Sequence, residues 1–190
     1  LILATIRQSY ITNYGCEICG DKAGYYMYLP GTFHLGFHAD EYPDNFDHVH
    51  GDGFRIDREN NKVITKFTCG VALLQLPFYF FGALINKIFL IHAQTYSYYY
   101  LFFINLGAAF YLVAGLYFLR RWLDYYVSSK SSFLTVIIVF IGTNLFYYSL
   151  DETLMSHVYS FSLFSCFLFT AKSYLLKRER KNYLMASLAL

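Results

Sequence analysis

Charge is what this 190-residue chain has least of: Asp, Glu, Lys and Arg make up 15% of it, against 56% hydrophobic and 22% aromatic residues. So little charge excludes a disordered chain and argues against an ordinary soluble domain. The net charge of +2 is too small and too scattered for a nucleic-acid partner. With only three prolines, no Gly/Ser-rich stretch and no internal repeat, there is neither a flexible tether nor a repeat array. No basic-then-apolar leader with a cleavage site is visible.

Long apolar runs take the place of charge, and the mean hydropathy is +0.34. Runs over 67–86, 88–119, 131–150 and 153–171 each reach the roughly 18–20 residues that cross a hydrocarbon core of about 30 Å. The expected fold is therefore all-α, a polytopic membrane helical bundle. Spanning helices are expected over 97–119, 132–150 and 153–172. Residues 1–9 are expected to end an earlier span and 183–190 to begin a further one, so the chain reads as an N-terminal fragment.

Basic residues orient the spans. The loops holding Arg120, Arg121 and Lys130, and Lys172, Lys177, Arg178, Arg180 and Lys181, flank a hairpin whose tip carries only Asp151 and Glu152. The basic loops are thus cytoplasmic, the tip faces outward, and 97–119 runs from outside to inside. The segment 67–91 then decides where the polar loop 10–66 lies. If it spans, the loop is cytoplasmic; if it is re-entrant or lies along the membrane surface, the loop is external. Pro77 in its middle and Lys87 near its end favour a broken or interfacial helix, juxtamembrane or re-entrant, and an external loop.

That loop is the one sizeable water-facing stretch. Asp21 stands just before an aromatic segment, 25–33, suited to the headgroup region; a carboxylate held there would be partly desolvated, which suits it to accept a proton. His34, His38, Asp40, Glu41, Asp44, Asp47, His48, His50 and Asp52 form a ligand-like stretch. His34 and His38 have the spacing of one helix face, and His48 and His50 that of one strand face. No HExxH-type pattern is present, and such a stretch is more often simply solvated. Cys16 and Cys19 form a CxxC pair without the βαβ context of redox catalysis. In an oxidising compartment they form a local disulfide or Cys69 joins one of them; in a reducing one they are spare thiols. Cys166 is expected to pack within a span.

At the hairpin tip a Glu152–His157 pair is sterically feasible and would keep the imidazole protonated, ready for a phosphate oxygen; a hydrated, capped tip is the plainer alternative. Asn144 is placed to hydrogen-bond a neighbouring helix, and Gly107, Ala108, Ala109 and Gly115 to let helices approach closely.

Three ordered stretches carry a resemblance. Asp21-Lys22-Ala23-Gly24-Tyr25-Tyr26-Met27-Tyr28-Leu29-Pro30 is similar to the D-x-x-GYY-x-YLP stretch in the first external loop of bacterial membrane glycosyltransferases of the GT-C superfamily. The run from Lys66 to Phe78 resembles their K-(Y/F)-x-x-G-x-A-L-L-x-x-P-F segment. Gly142-Thr143-Asn144-Leu145-Phe146-Tyr147-Tyr148, followed by Met155-Ser156-His157-Val158-Tyr159-Ser160-Phe161, resembles a pair of motifs in Bacteroidetes-type members. Together these cover most of 21–161.

The resemblance implies an extracytoplasmic first loop containing juxtamembrane helices, in a multi-pass protein of the bacterial inner membrane. It implies transfer of a sugar from a polyprenyl-phosphate donor to a glycan or lipid acceptor on the outer face, with membrane lipid as the surrounding partner. Asp21 would be the catalytic first-loop carboxylate. Lys66 and His157 would stabilise the departing lipid phosphate, Tyr25 would join them in binding substrate, and Glu152 would orient His157 or act as a second catalytic carboxylate. No cofactor is fixed by the resemblance, which leaves room for a divalent metal. The family's enzymes have many more spans and often a soluble domain, and Lys22 and Asp151 depart from its pattern. A non-catalytic polytopic protein, transporter-like or lipid-binding, is the competing reading, although a transporter would place its charges nearer the bilayer midplane. An Asp40→Cys variant is expected to react with a membrane-impermeant thiol reagent added outside intact cells; reaction only after the cytoplasmic side is opened would overturn the external loop.

Overall fold

The computed structural model describes residues 18–177 and 180–189. The expected end of a first span over 1–9, the start of the polar loop and Cys16 lie outside the described residues. The chain is mostly helical, 69% helix and 5% strand, and divides into two compact units, Leu1–Gly107 and Ala108–Leu190.

The first unit opens with two short helices, α1 (Asp21–Tyr26) and α2 (Tyr28–Pro30). They continue into a π-helical stretch (Gly31–Leu35), a single 3₁₀ turn (Ala39–Glu41) and α3 (Phe46–His50). An antiparallel hairpin follows, β1 (Phe54–Asp57) with β2 (Lys62–Thr65), in the register Phe54 to Thr65 and Asp57 to Lys62. This hairpin corrects the expectation of an all-α loop. Its signal is present in the sequence: Phe54 and Ile56 alternate with polar residues, and Asp57 to Asn61 is turn-forming. Asp57 accepts from both the backbone and side-chain nitrogens of Asn60, and Asn61 takes the left-handed conformation at φ 51°. From the turn, the Arg58 guanidinium donates to the carbonyls of Ala39, Tyr42 and Pro43 and pairs with Asp44 at 3.1 Å. One side chain thereby pins the irregular segment before α3 to the hairpin.

Two glycines set how closely these pieces meet. A Cβ on Gly24 would overlap the Gly53 carbonyl oxygen and the Phe67 ring; one on Gly53 would overlap the Gly20 carbonyl oxygen. The Thr65 hydroxyl lies 3.2 Å from the Gly24 carbonyl oxygen and 3.1 Å from that of Gly53, and accepts from the Phe67 amide. Beneath this contact is an aromatic core. Tyr26 is fully buried, packs edge-on against Tyr79 and Tyr96, and donates to the Thr95 carbonyl at 2.5 Å.

Two helices are long and apolar enough to cross a membrane: α4 (Gly70–Ile88), 19 residues or about 28 Å, and α5 (Tyr98–Leu123), 26 residues or about 39 Å. Helix α4 runs unbroken through Pro77, with the proline on its exposed side, so of the two expected arrangements, a broken or an interfacial helix, the break is absent. Its buried side carries Gln75, Tyr79 and Gly82, while Leu73, Phe80, Phe81, Leu84 and Ile88 are exposed. Gly82 receives the Phe103 ring and Gly107 the Phe78 ring, each at 2.7 Å from a virtual Cβ. The turn from α4 to α5 is held by Asn86, whose amide accepts from Ala93 N and donates to Ala93 O.

In the second unit the apolar run 132–150 is two helices instead of one span, α6 (Ser129–Gly142) and α7 (Leu145–Leu150). Thr143 causes the break: its backbone is extended, and its hydroxyl donates to the Val139 carbonyl and accepts from the Leu145 amide. Helix α8 (Ser156–Lys177) has 22 residues but is not among the helices apolar enough to qualify, because Ser160, Ser162, Ser165, Thr170 and Ser173 interrupt it. Those at 162, 165, 170 and 173 face inward. Helix α9 (Arg180–Ala189) packs against α8. Gly115 of α5 takes the Phe161 ring at 2.7 Å and the Ser162 backbone at 2.9 Å, the close approach expected of it.

Substitution of Gly24 by valine is expected to destabilise the first unit by about 1–3 kcal/mol, the usual cost of overpacking, and to lower its melting temperature in detergent. The Gly70→Ala change, which meets nothing within 4 Å, leaves that temperature unchanged.

Candidate functional site

Asp21 is the first residue of α1 and Tyr25 lies one turn later, so the two share a helix face. That face meets the residues just beyond β2. The Lys66 ammonium lies 3.3 Å from an Asp21 carboxylate oxygen, and the Phe67 ring is 4.3 Å from that of Tyr25. Lys66 also lies over the Phe67 ring, 5.0 Å from its centre. Three of the five residues expected in the site are thus brought together from two distant stretches of sequence. The Asp21 side chain is 49% exposed and that of Lys66 63% exposed. An ion pair this open is worth about 0.2–1 kcal/mol, so an anionic or hydroxyl-bearing ligand can part it at little cost.

The remaining residues of the Asp21 stretch are structural. Gly24 makes the close contact, Tyr26 fills the aromatic core, Leu29 and Pro30 are buried, and the Tyr28 hydroxyl donates to the Phe67 carbonyl at 2.6 Å. Packing therefore consumes most of the motif and leaves Asp21 facing Lys66 and Tyr25 facing Phe67.

Beside this cluster lies an open groove of about 570 Å³, lined by Lys66, Arg55, His48, Asp52 and Ile64 among others. Arg55 is a residue the sequence reading passed over; its place in β1, opposite Ile64, is what brings it to the groove.

The ligand-like stretch does not gather into a site. Gly36, at φ 77°, separates His34 from His38, so the two do not share a helix face. His48 and His50 sit in α3 and not on a strand. Glu41 accepts from the His38 amide, the Asp40 amide donates to Asn61, Asp44 pairs with Arg58 and Asp47 accepts from the Ile56 amide. Among the described residues no three His, Cys, Asp or Glu side chains come together to hold a metal ion. Cys19 is disulfide-bonded and Cys69 is free, which removes the alternative in which Cys69 supplies the bridge.

His50 is a structural histidine. Its Nδ1 lies 2.9 Å from the Ile18 carbonyl oxygen, its own carbonyl accepts from the Gly20 amide at 2.7 Å, and its ring packs on Phe46 and Tyr96. Burial lowers its pKa, against the opposing pull of the Ile18 carbonyl. Nearby tyrosines move the other way. Burial, followed by the charge of Glu41, pushes Tyr42 up to about 12, and burial likewise raises Tyr26 and Tyr96.

In the second unit, Glu152 and His157 bracket the tip before α8 but take different partners. The His157 ring stacks on Tyr148 with centres 3.7 Å apart, and Glu152 accepts from the Tyr147 hydroxyl at 3.5 Å. In place of the expected pair, the imidazole stacks on Tyr148 of α7. The Asn144 side chain is exposed and makes no hydrogen bond to another helix among the described residues.

No known family profile, curated protein or solved structure matches this chain.

The lowered His50 pKa fixes a sign. The unfolded imidazole, with its ordinary pKa of about 6.5, takes up protons before the folded one does, so stability is full above that pH and falls as pH drops through it toward the folded value. The melting temperature is expected to be lower at pH 5.5 than at pH 7.5, by about 2–4 °C for each kcal/mol lost, and His50→Gln is expected to shrink that difference.

Proposed function

We propose that this chain belongs to a multi-pass membrane glycosyltransferase that moves a sugar from a polyprenyl-phosphate donor to a glycan or lipid acceptor on the outer face of the bacterial inner membrane. The observation that carries this reading is the pairing of Asp21 with Lys66 beside Tyr25 at the edge of an open groove. A base and a cation side by side suit the chemistry. Asp21 takes the proton of the acceptor hydroxyl while that oxygen attacks the anomeric carbon. The bond from that carbon to the lipid phosphate breaks, and its electron pair leaves on the phosphate oxygen. Lys66 offsets the charge growing there. The Tyr25 face provides a surface for a sugar ring.

Membrane association is supported by two helices of sufficient length and apolarity and by their exposed apolar sides. In this proposal α5 crosses the membrane while α4 lies along its outer surface, the arrangement that leaves the loop carrying Asp21 and Lys66 outside; the further spans and the inner-membrane location belong to the proposal as well. The proposed orientation draws on the second unit. Lys172 of α8 lies over the Tyr126 ring and Arg120 bonds Ser129, so basic residues collect at one end of α8, while Glu152 and His157 lie at its other end. With the basic end cytoplasmic, Glu152 and His157 face outward. His157 there is exposed and stacked on Tyr148, with a ring nitrogen of the kind that bonds phosphate, and Glu152 is a carboxylate of the same tip.

In the full-length protein, Asp21→Asn is expected to reduce sugar transfer from a polyprenyl-phosphate donor by about 10²–10⁴-fold with membrane insertion retained. Lys66→Gln is expected to cost about 10²–10³-fold. Undiminished transfer by Asp21→Asn overturns the assignment and favours the non-catalytic, lipid-binding alternative.

A further inference from the structure

A second pocket in the first unit, of about 410 Å³, lies away from Asp21 at the end of α4 and is lined by His34, Asn86, Lys87, Leu90, His92 and Tyr100, with Ala83. Its nitrogen-bearing groups come from three places in the chain, and its lining contains no carboxylate. Among the described residues the Lys87 and His92 side chains make no ion pair or hydrogen bond, and His34 contributes only an edge contact to the Tyr79 ring. A cation and two imidazoles with no counter-charge form a recess for an oxyanion.

The rim shows where such an anion comes from. Ile88, Phe89, Leu90 and Ile91 follow one another, all exposed, Phe89 at 70% and Leu90 at 71%. They extend the exposed apolar side of α4 past its end. Water does not favour four adjacent exposed apolar side chains, whereas acyl chains beneath a headgroup do. The turn is built to hold this arrangement: Asn86 clamps Ala93 through both amide atoms, and Leu90 and His92 take left-handed φ values of 49° and 55°.

We propose that this pocket binds the phosphate of an anionic membrane phospholipid, with Lys87, His92 and His34 on the headgroup and Phe89, Leu90 and Ile91 among the acyl chains. Charge complementarity selects an anionic over a zwitterionic lipid, and the apolar rim selects a lipid over free phosphate. The site anchors the end of α4 at the membrane surface. It rests on the membrane association proposed above and is independent of sugar transfer.

Purified protein in nanodiscs tests it by hydrogen–deuterium exchange over 84–93. Phosphatidylglycerol is expected to slow exchange there at least about threefold relative to phosphatidylcholine. Lys87→Gln combined with His92→Gln is expected to remove that difference, and Lys87→Arg to keep it. Equal exchange in the two lipids overturns the proposal, as does protection by inorganic phosphate in phosphatidylcholine discs equal to that by phosphatidylglycerol. Protection that survives in the double variant also overturns it. Melting temperatures of the variants close to that of the parent protein show that a lost response is not lost folding. Sugar transfer in phosphatidylcholine discs reports separately on the enzymatic reading.

Discussion

The first unit depends on the absence of a side chain at Gly24 and Gly53. Helix α1 lies so near the start of β1 and the Phe67 ring that a single methyl group at either glycine would overlap its neighbour. The Thr65 hydroxyl, set between the carbonyls of these two glycines, ties the end of β2 to the same point. Once that contact closes, the remaining geometry follows. Phe67 is drawn over Tyr25, Lys66 reaches Asp21, and Tyr26 on the adjoining face of α1 enters the aromatic core formed with Tyr79 and Tyr96. The proposed base and its cation are therefore positioned by a steric constraint, and their own weak attraction only completes the placement.

Some of this is legible in the sequence. The Asp21 stretch can be read as a unit, because it stands together as one motif before an aromatic segment, and Gly115 announces a close approach because it has no side chain. The outcome of the ligand-like stretch between His34 and Asp52 could not be read from it. Composition shows how many acids and imidazoles there are; it does not show that Glu41, Asp44 and Asp47 are spent on an amide or on Arg58. Short irregular segments have no ladder of their own, so their backbone groups take side-chain partners, and those side chains are then lost to metal binding. The hairpin between Phe54 and Thr65 was hidden for another reason: two four-residue strands give too short an alternation to stand out among aromatic residues.

Runs of apolar residues mislead in a characteristic way. A hydropathy count over 131–150 gives one span, but Thr143 satisfies its hydroxyl within α6 and then caps α7, so the run bends into two helices. The count over 153–171 overlooks which side each serine occupies. In α8, Ser162, Ser165, Thr170 and Ser173 are buried while Phe164, Leu175 and Leu176 are exposed. Helix α4 has the same inversion, with Gln75 and Tyr79 inside and Leu73, Phe80 and Leu84 outside. In water this distribution would forfeit the main driving force of folding; against hydrocarbon it is the stable one, since small polar residues let helices approach and bond while the lipid solvates the rest.

That inversion bears on the distribution of charge. Where exposed sides are apolar, charged groups are confined to helix ends and loops, and their placement carries topological information instead of merely conferring solubility. Along α8, His157 and Lys172 are about 22 Å apart at 1.5 Å per residue, which sets them near opposite ends of the helix. Basic side chains at one end and a carboxylate with a stacked imidazole at the other then satisfy two demands at once. In the proposed topology the first marks the cytoplasmic end, and the second sets a carboxylate and an imidazole at the opposite end. A scarce charge can serve both purposes only if the helices themselves need none, and the inward serines supply their polar contacts in its place.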